Sequence, residues 1–156
     1  VGVLNHGRIV QTGTTYEIYN NPRDTYVASF VGSPPMNLID GKLVNGRAVM
    51  APLNFELPFA GGARTSGETD GRPLVFGIRP EDLYLQSGAP VEARVHDVEN
   101  HGVEKILTLR VGDAMLRATV PARTDVEIEQ PVRFAWDPDK VVLFDKDTGI
   151  SLRHAG

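Results

Sequence analysis

Two histidines, His96 and His101, have neighbours that could serve chemistry, because Asp97 and Glu99 lie between them in the chain. Imidazole and carboxylate groups at this spacing can bind a metal ion or change charge near neutral pH. The same residues are more typical of a solvated strand end, with Asn100-His101-Gly102 at the tip of a hairpin. We favour the hairpin interpretation and predict no metal site.

Constellations for nucleophilic or acid–base catalysis are not evident in the sequence. None of the serines lies in a Gly-x-Ser-x-Gly turn. The carboxylate pairs Glu81-Asp82, Asp137/Asp139 and Asp145/Asp147 are better explained by turn and cap positions. A phosphate-binding loop ends in Gly-Lys-Ser/Thr, whereas the only Gly-Lys pair here, Gly41-Lys42, is followed by leucine. We therefore predict no catalytic residue, no nucleotide site and no cofactor within this chain.

The corner Arg79-Pro80-Glu81-Asp82 is the most distinctive polar sequence in the chain. It directly follows the short apolar run 74–78, so its side chains are expected to emerge at the rim of a sheet. Pro80 fixes its own φ angle, and either carboxylate can pair with Arg79 or with another chain. Two interpretations stay open, a rigid corner that starts a single helical turn and a recognition corner. These four residues are our candidates for an interdomain or intersubunit contact.

Composition and charge limit the classes of partner. The net charge is −4, and the 11 aromatic residues do not alternate with basic ones, which disfavours nucleic acid as a partner. No apolar run approaches the ~18 residues that a membrane-spanning helix requires. The chain has no cysteine, which excludes disulfides and cysteine-based zinc sites. Because it begins with Val1 rather than Met, we expect a fragment or a processed chain.

The elements that must position these residues begin with a short hairpin and a helix. Residues 1–4 and 8–11 are predicted strands on either side of the turn-forming Asn5-His6-Gly7. Thr14 and Glu17 then have the spacing of a capping box, in which each side chain bonds the other residue's backbone N–H. The predicted helix ends before a proline at position 22, since proline cannot donate a helical hydrogen bond.

A second short helix is predicted over residues 24–31. Val27, Phe30 and Val31 share one face of it, and Gly32 is a suitable stop. The following Ser33-Pro34-Pro35 predicts a rigid, extended connector, because a residue before proline avoids helical angles. We place the domain boundary here, with residues 1–37 on one side and residues 38–156 on the other.

Residues 38–156 predict a mostly β domain. Apolar residues alternate with polar ones along short runs that end at Gly, Pro, Asn or Asp, which is typical of antiparallel strands with one wet face. A small closed barrel of the oligonucleotide/oligosaccharide-binding (OB) type would remove the exposed edges. Residues 53–72 match no pattern, and 60–72 are expected to form a surface loop. The predicted strands are 38–44, 47–50, 74–78, 91–95, 106–111, 115–120, 132–136 and 141–144.

Several stretches of the chain resemble the ATP-binding subunits of bacterial sugar-type ABC importers, the maltose and glycerol-3-phosphate type. Residues 3–13 are similar to the last hairpin of their nucleotide-binding domain, and residues 17–37 to the helices and connector after it. Residues 76–82 are similar to the Gly-Ile-Arg-Pro-Glu corner of their regulatory domain. Residues 139–152 are similar to its C-terminal end. One departure is Thr15, where the family often has proline.

The resemblance implies a fold and a function. Residues 1–37 would be the remnant of an ATPase domain, and residues 38–156 a MOP/TOBE-like OB regulatory domain. The whole subunit would bind ATP and Mg in its other part and hydrolyse ATP to import a sugar, polyol or glycerol phosphate. The implied partners are an identical copy, the chain's own ATPase domain, the importer's membrane subunits and a regulatory protein. The implied location is cytoplasmic, at the inner face of the cell membrane.

Two other functions remain open at this stage. A small oxyanion- or ligand-binding module would use cationic groups, for which Lys42, Lys105 and Arg79 are candidates. A nucleic-acid-binding OB domain is disfavoured by the acidic charge. The sequence does not identify the transported substrate.

Overall fold

Strands dominate the computed structural model, which describes residues 2–32, 34–44, 47–50, 55–58 and 71–152. The mostly β prediction is confirmed. Single 3-10 turns lie at Pro80–Asp82 and Pro138–Lys140. The described elements are β1 (Gly2–Asn5), β2 (Arg8–Thr12), α1 (Thr15–Asn20), α2 (Thr25–Phe30), β3 (Asn37–Val44), β4 (Arg47–Met50), β5 (Phe55–Pro58), β6 (Pro73–Ile78), β7 (Leu83–Leu85), β8 (Val91–Asn100), β9 (Glu104–Val111), β10 (Ala114–Pro121), β11 (Pro131–Trp136) and β12 (Val142–Asp145).

The head, which we define as residues 2–32, forms as its local sequence predicts. β1 and β2 pair through a tight turn in which His6 has φ 51° and Gly7 has φ 78°, the positive angles that a two-residue hairpin turn requires. At the start of α1, the Thr14 hydroxyl accepts from the Glu17 N–H at 3.1 Å, and the Glu17 carboxylate accepts from the Thr14 N–H at 3.4 Å. The predicted capping box is therefore confirmed, and α1 ends before Pro22.

The second helix, α2, is one residue shorter at each end than predicted. Asp24 caps it by accepting from the Val27 N–H at 2.9 Å. Val27 is fully buried and Val31 packs against its cluster, whereas Phe30, on the same predicted face, is 69% exposed. Its ring stacks on Tyr26, one helical turn earlier, with centroids 6.0 Å apart. Residues four apart lie on one ridge of a helix, and the Tyr26 end of this ridge packs against the cluster of Val3, Ile18 and Val27.

The remaining strands form the barrel, which we define as β3 to β12 with the turns between them and the residues 146–152 that follow. One antiparallel sheet has the strand order β12-β6-β3-β4-β5, and the other has the order β10-β9-β8-β11-β7. The second sheet curls until its edge strands β7 and β10 approach each other. This nearly closed arrangement confirms the predicted OB-like fold.

Most predicted strands are present in this barrel, and the differences are local. The β3–β4 hairpin is confirmed, although its turn at Asn45-Gly46 lies outside the described residues. Of the predicted surface loop 60–72, only Gly71 and Arg72 are described. Strands β5 and β7 were not predicted, since β5 falls in the stretch without a recognisable pattern and β7 has three residues.

A single apolar core lies between the two sheets. It includes Phe76 from one sheet and Phe134 from the other, both fully buried. The alternation along β8 is confirmed, since Val91, Ala93 and Val95 are buried in this core and the residues between them are exposed. The head touches the barrel through a smaller cluster made by Ala28 of α2 and four barrel or connector residues, Met36, Val75, Val142 and Phe144.

A buried amide closes the seam between the two sheets. Asn37, at the start of β3, donates from Nδ2 to the Ile78 carbonyl at 3.1 Å and to the Arg117 carbonyl at 2.9 Å. Its Oδ1 accepts from the Arg117 N–H at 2.8 Å. The side chain therefore satisfies both backbone groups of Arg117 on edge strand β10, where a neighbouring strand would otherwise be needed.

Candidate functional site

The guanidinium group of Arg79 lies against the end of α1. Nη2 donates to the Asn20 carbonyl at 2.7 Å and to the Tyr19 carbonyl at 3.1 Å, and Nε donates to Tyr19 at 3.3 Å. These are among the last carbonyls of the helix, which have no partner within it, and a cation there also interacts favourably with the helix dipole. Arg79 is only 8% exposed, so it acts as a buried cap that joins the barrel to the head.

Tyr19 completes this contact from the side of the head. The Arg79 guanidinium carbon lies 5.0 Å from the centre of the Tyr19 ring, a distance at which a cation is attracted to the ring face. The Tyr19 hydroxyl donates to the Glu81 carboxylate. Burial, and then the neighbouring Glu81 carboxylate, raise the pKa of Tyr19 above its ordinary value. The phenol therefore remains a hydrogen-bond donor at neutral pH.

The other residues of the corner form the predicted single helical turn. Pro80 occupies its first position, and the Asp82 N–H donates to the Arg79 carbonyl at 2.9 Å. The Asp82 carboxylate, 9% exposed, lies 3.4 Å from Arg79 Nη1 and 3.8 Å from Lys140 Nζ. Burial raises the pKa of Asp82 despite these two cations, which favour its charged form. Asp82 is thus a partly desolvated counter-ion for Arg79.

The four predicted site residues lie together at this corner. Arg79 and Glu81 contact α1 of the head, and Asp82 contacts Arg79 and Lys140. A cleft of about 310 Å³ lies beside them between α1 and the two 3-10 turns. Within the described residues, these side chains are committed to joining α1, β6 and the turn at Lys140. The predicted contact with another chain is not tested by this arrangement and stays a prediction.

A second contact with the head involves residues 149–151, which the sequence did not single out as a site. The Gly149 carbonyl accepts from the Thr25 N–H at 2.9 Å, and the Ser151 N–H donates to the Arg23 carbonyl at 2.7 Å. Asp24 and Ile150 form an antiparallel bridge between these bonds. We call residues 149–151 the strap. Thr148 and Gly149 lie in the stretch 139–152 that resembles the family's C-terminal end. Their pairing with the head could not be predicted, because it uses backbone groups and does not depend on side-chain type.

The strap is held in place by the Asp145 carboxylate. Its Oδ1 accepts from the Asp147 N–H at 2.8 Å and from the Thr148 N–H at 3.1 Å, and its other oxygen accepts from Arg72. The Thr148 bond contributes most to lowering the pKa of Asp145, and Arg72 lowers it further. The Asp145/Asp147 pair therefore serves a turn, which agrees with the structural interpretation of its sequence.

The two histidines with neighbouring carboxylates lie at exposed positions. His96 sits at a bulge in β8, where the pairing with β9 shifts between Val95 and Asp97. His101 lies in the β8–β9 turn, where its N–H donates to the Glu104 carbonyl at 2.9 Å. In the ranges that the structure describes, no three His, Asp or Glu side chains are arranged to hold a metal ion.

The three cations considered for an oxyanion site have different surroundings. Arg79 is buried against α1, and Lys105 donates from Nζ to the Thr124 carbonyl at 2.8 Å. Lys42 is exposed on β3, opposite Val49. None of the contacts described for these residues joins one to another. Among the described helices, none has the length and apolar character to cross a membrane.

Two family matches account for the barrel. The MalK OB fold domain matches residues 32–83, and the TOBE domain matches residues 76–144. The two matches overlap at residues 76–83, the stretch that contains the Arg79 corner. The chain belongs to the OB/TOBE domain family of ABC importer ATP-binding subunits. The resemblance seen in the sequence is thereby confirmed.

Relatives with assigned names match nearly the whole chain, the head as well as the OB/TOBE part. It is 36% identical to the trehalose/maltose import ATP-binding protein MalK of Thermococcus litoralis, over 97% of this chain and 44% of the relative. It is 38% identical to the sn-glycerol-3-phosphate import ATP-binding protein UgpC of a Jannaschia species, over 96% of this chain and 41% of the relative. It is 36% identical to the sulfoquinovosyl glycerol transport ATP-binding protein SmoE of Agrobacterium fabrum, over 96% of this chain and 42% of the relative. The chain spans less than half the length of these relatives.

Proposed function

We propose that this chain is the non-catalytic regulatory part of the ATP-binding subunit of an ABC importer for sugars, polyols or glycerol phosphate. The observation that carries the proposal is the match to import ATP-binding proteins along 96–97% of the chain, a share too large to leave out the head. The parent subunit would bind ATP and Mg in its other part and hydrolyse ATP to drive uptake. It would act at the cytoplasmic face of the membrane, through the importer's membrane subunits.

The exposed surface of the head supports its attachment to an ATPase domain. Leu4 is 56% exposed, Ile9 is 64% exposed and Phe30 is 69% exposed, although all three are large and apolar. A concentration of such side chains on one small segment is typical of a surface that another part of a protein covers. The ATPase portion of the proposed subunit is the partner that fits, since residues 1–37 resemble its end.

The barrel, in the same proposal, contacts an identical copy and holds two ATPase subunits together. Its edge strands carry exposed apolar side chains, with Tyr84 on β7 46% exposed and Met115 on β10 50% exposed. A two-fold dimer places the same patch of each copy against the other, so apolar residues at the barrel rim would be buried in pairs. Regulation would then follow from favouring one arrangement of the pair over another.

Light scattering over a range of protein concentrations tests the self-association. We expect a mass near twice 17.0 kDa at high concentration. Met115→Asp should raise the dimer dissociation constant at least tenfold, because a buried unpaired charge is costly. Ile9→Asp is the matched control, since it changes an exposed apolar residue of the head and should leave the constant unchanged. A monomer at every concentration would contradict dimerisation through the barrel.

A further inference from the structure

Both helix ends that face the link between α1 and α2 find their hydrogen-bond partners on the barrel. The carbonyls of Tyr19 and Asn20, at the end of α1, accept from Arg79. The Thr25 N–H, in the first turn of α2, donates to the Gly149 carbonyl. Helix ends carry backbone groups that have no partner within the helix. The barrel therefore contacts the head at backbone groups of helix ends, which have no hydrogen-bond partner within their own helix.

The two barrel groups come from distant parts of the chain and hold the head on both sides of one short link. Arg79 follows β6, whereas the strap follows β12, and the link of residues 21–24 lies between the two contacts. Ala28 adds an apolar contact with the barrel. Two separated anchors restrict rotation in a way that one flexible connection cannot.

Part of the connector that joins the head to the barrel is packed. Pro34 is buried, and Gly32 and Pro35 form a bridge across the turn. A hinge requires a few residues that are free to change their backbone angles. Proline fixes φ, so the described residues of this connector are poorly suited to be a hinge.

We propose that the Arg79 contact and the strap act together as a clamp that makes the head and the barrel one rigid body. The proposal deepens the proposed function and rests on it for its bearing on ATP hydrolysis. In the full subunit, movement between the barrel and the ATPase domain would then not occur at the head–barrel junction. If the exposed apolar residues of the head pack on the ATPase domain, the barrel would move together with that domain.

Spin-label distances provide a direct test, because the chain has no cysteine of its own. Labels at Arg8→Cys on the head and Asp113→Cys on the barrel, both exposed positions, report the head–barrel distance by double electron–electron resonance. Labels at Asp113→Cys and Glu127→Cys report a distance within the barrel as a control. We expect one narrow head–barrel distribution, similar in width to the control. A broad distribution in the otherwise unchanged chain overturns the proposal.

Gly149 offers a clamp variant with a matched control. Gly149 has φ +76°, and a Cβ there would lie 2.9 Å from the Thr25 hydroxyl oxygen. Gly88 has φ +82°, with no atom within 4 Å of a Cβ, so Gly88→Ala has the same backbone strain without touching the head. Arg79→Leu/Gly149→Ala should at least double the width of the head–barrel distribution, whereas Gly88→Ala should leave it unchanged. An unchanged width in the double variant overturns the clamp.

Hydrogen exchange in the unmodified chain gives a measurement that does not depend on how well variants fold. The amides of Thr25 and Ser151 should exchange as slowly as core amides such as Leu107, because they open only with the whole molecule. Exchange at least a hundredfold faster at these two amides overturns the proposal. A failure of the proposed dimerisation appears instead as a monomer in light scattering, so the two outcomes are distinguishable.

Discussion

Arg79 shows how one side chain can carry a contact that neither of its neighbours could make. Its fork of N–H groups reaches two carbonyls of α1 while its face lies on the Tyr19 ring. A lysine offers a point charge without the fork. The contact therefore depends on the shape of the guanidinium group as well as on its charge.

Substitution of Arg79 tests this dependence. Arg79→Met should lower the free energy of unfolding by about 2–4 kcal/mol, because it leaves buried carbonyls without donors and Asp82 without its nearest cation. Arg79→Lys should lose less, since it keeps a charge near the end of α1. Urea titration of the three proteins measures the difference. Equal stability of Arg79→Met and the wild type would show that the contact contributes nothing to the fold.

Asp145 should make the protein less stable in acid. Its lowered pKa means that the folded state favours the charged form, so its stabilising effect is present above its ordinary pKa of 3.8 and is lost as the pH falls through the lowered value. Asp145→Asn should lower the free energy of unfolding by about 1.5–3 kcal/mol at pH 7, the range for hydrogen bonds to a charged group. Urea titrations should show this difference shrinking below pH 3.8; a constant difference would contradict the assignment.

Asp82 should have the opposite pH dependence. Burial raises its pKa, so the folded state favours the protonated form, and the associated stability is complete below 3.8 and lost as the pH rises through the folded value. The free energy of unfolding of the wild type should therefore fall relative to that of Asp82→Asn as the pH rises from 3.8 to 7. Asp113→Asn, which changes an exposed turn residue, controls for the loss of one carboxylate. A rise in the same interval would show that the Arg79 and Lys140 charges outweigh burial.

At the scale of elements, the barrel depends on a seam between its two sheets that none of the described strands closes. Strand β10 is an edge strand, and Asn37 from β3 satisfies both backbone groups of Arg117 there. Unpaired strand edges invite pairing with other chains. A buried amide at this position therefore protects the edge while it joins the two sheets.

Removal of the Asn37 amide should open this seam. We expect Asn37→Ala to lower the free energy of unfolding by about 2–4 kcal/mol, because three backbone groups lose a buried partner. Asn100→Ala is the control, since the Asn100 side chain accepts one exposed bond from the Gly102 N–H and should matter by less than about 1 kcal/mol. Thermal unfolding measures both. Similar losses for the two variants would contradict a special role for Asn37.

Helices and strands that depend on nearby residues could be predicted from the sequence, whereas the contacts between the head and the barrel could not. The Thr14 capping box and the β8 alternation follow from residue types a few positions apart. Helical periodicity predicts which residues share one side of α2, but it does not show how much of that side is covered, and Phe30 is exposed. The Arg79 corner was identified as a candidate, yet its partners are backbone carbonyls of α1. Backbone groups are the same in every residue, so sequence cannot show which of them meet.

At the scale of the whole molecule, the clamp predicts a single cooperative unfolding transition. The only tryptophan, Trp136, is buried in the barrel core, and a fluorophore at Arg8→Cys reports on the head. Both signals should change at the same urea concentration, because a two-state protein gives coincident transitions with different probes. An earlier transition of the head would show that it unfolds independently of the barrel.

The pairing of the strap with the head also sets an order of events during synthesis. A ribosome makes the head before the strap, so the Thr25 N–H and the Arg23 carbonyl meet their partners only after residues 149–151 have been made. At about 5–20 residues per second, the head waits on the order of ten seconds for them. During that interval its helix ends and apolar side chains are open to chaperones or to a neighbouring nascent chain. The strap is made after both the head and Arg79, so its synthesis sets the time at which the head can complete its contacts and avoid misassembly.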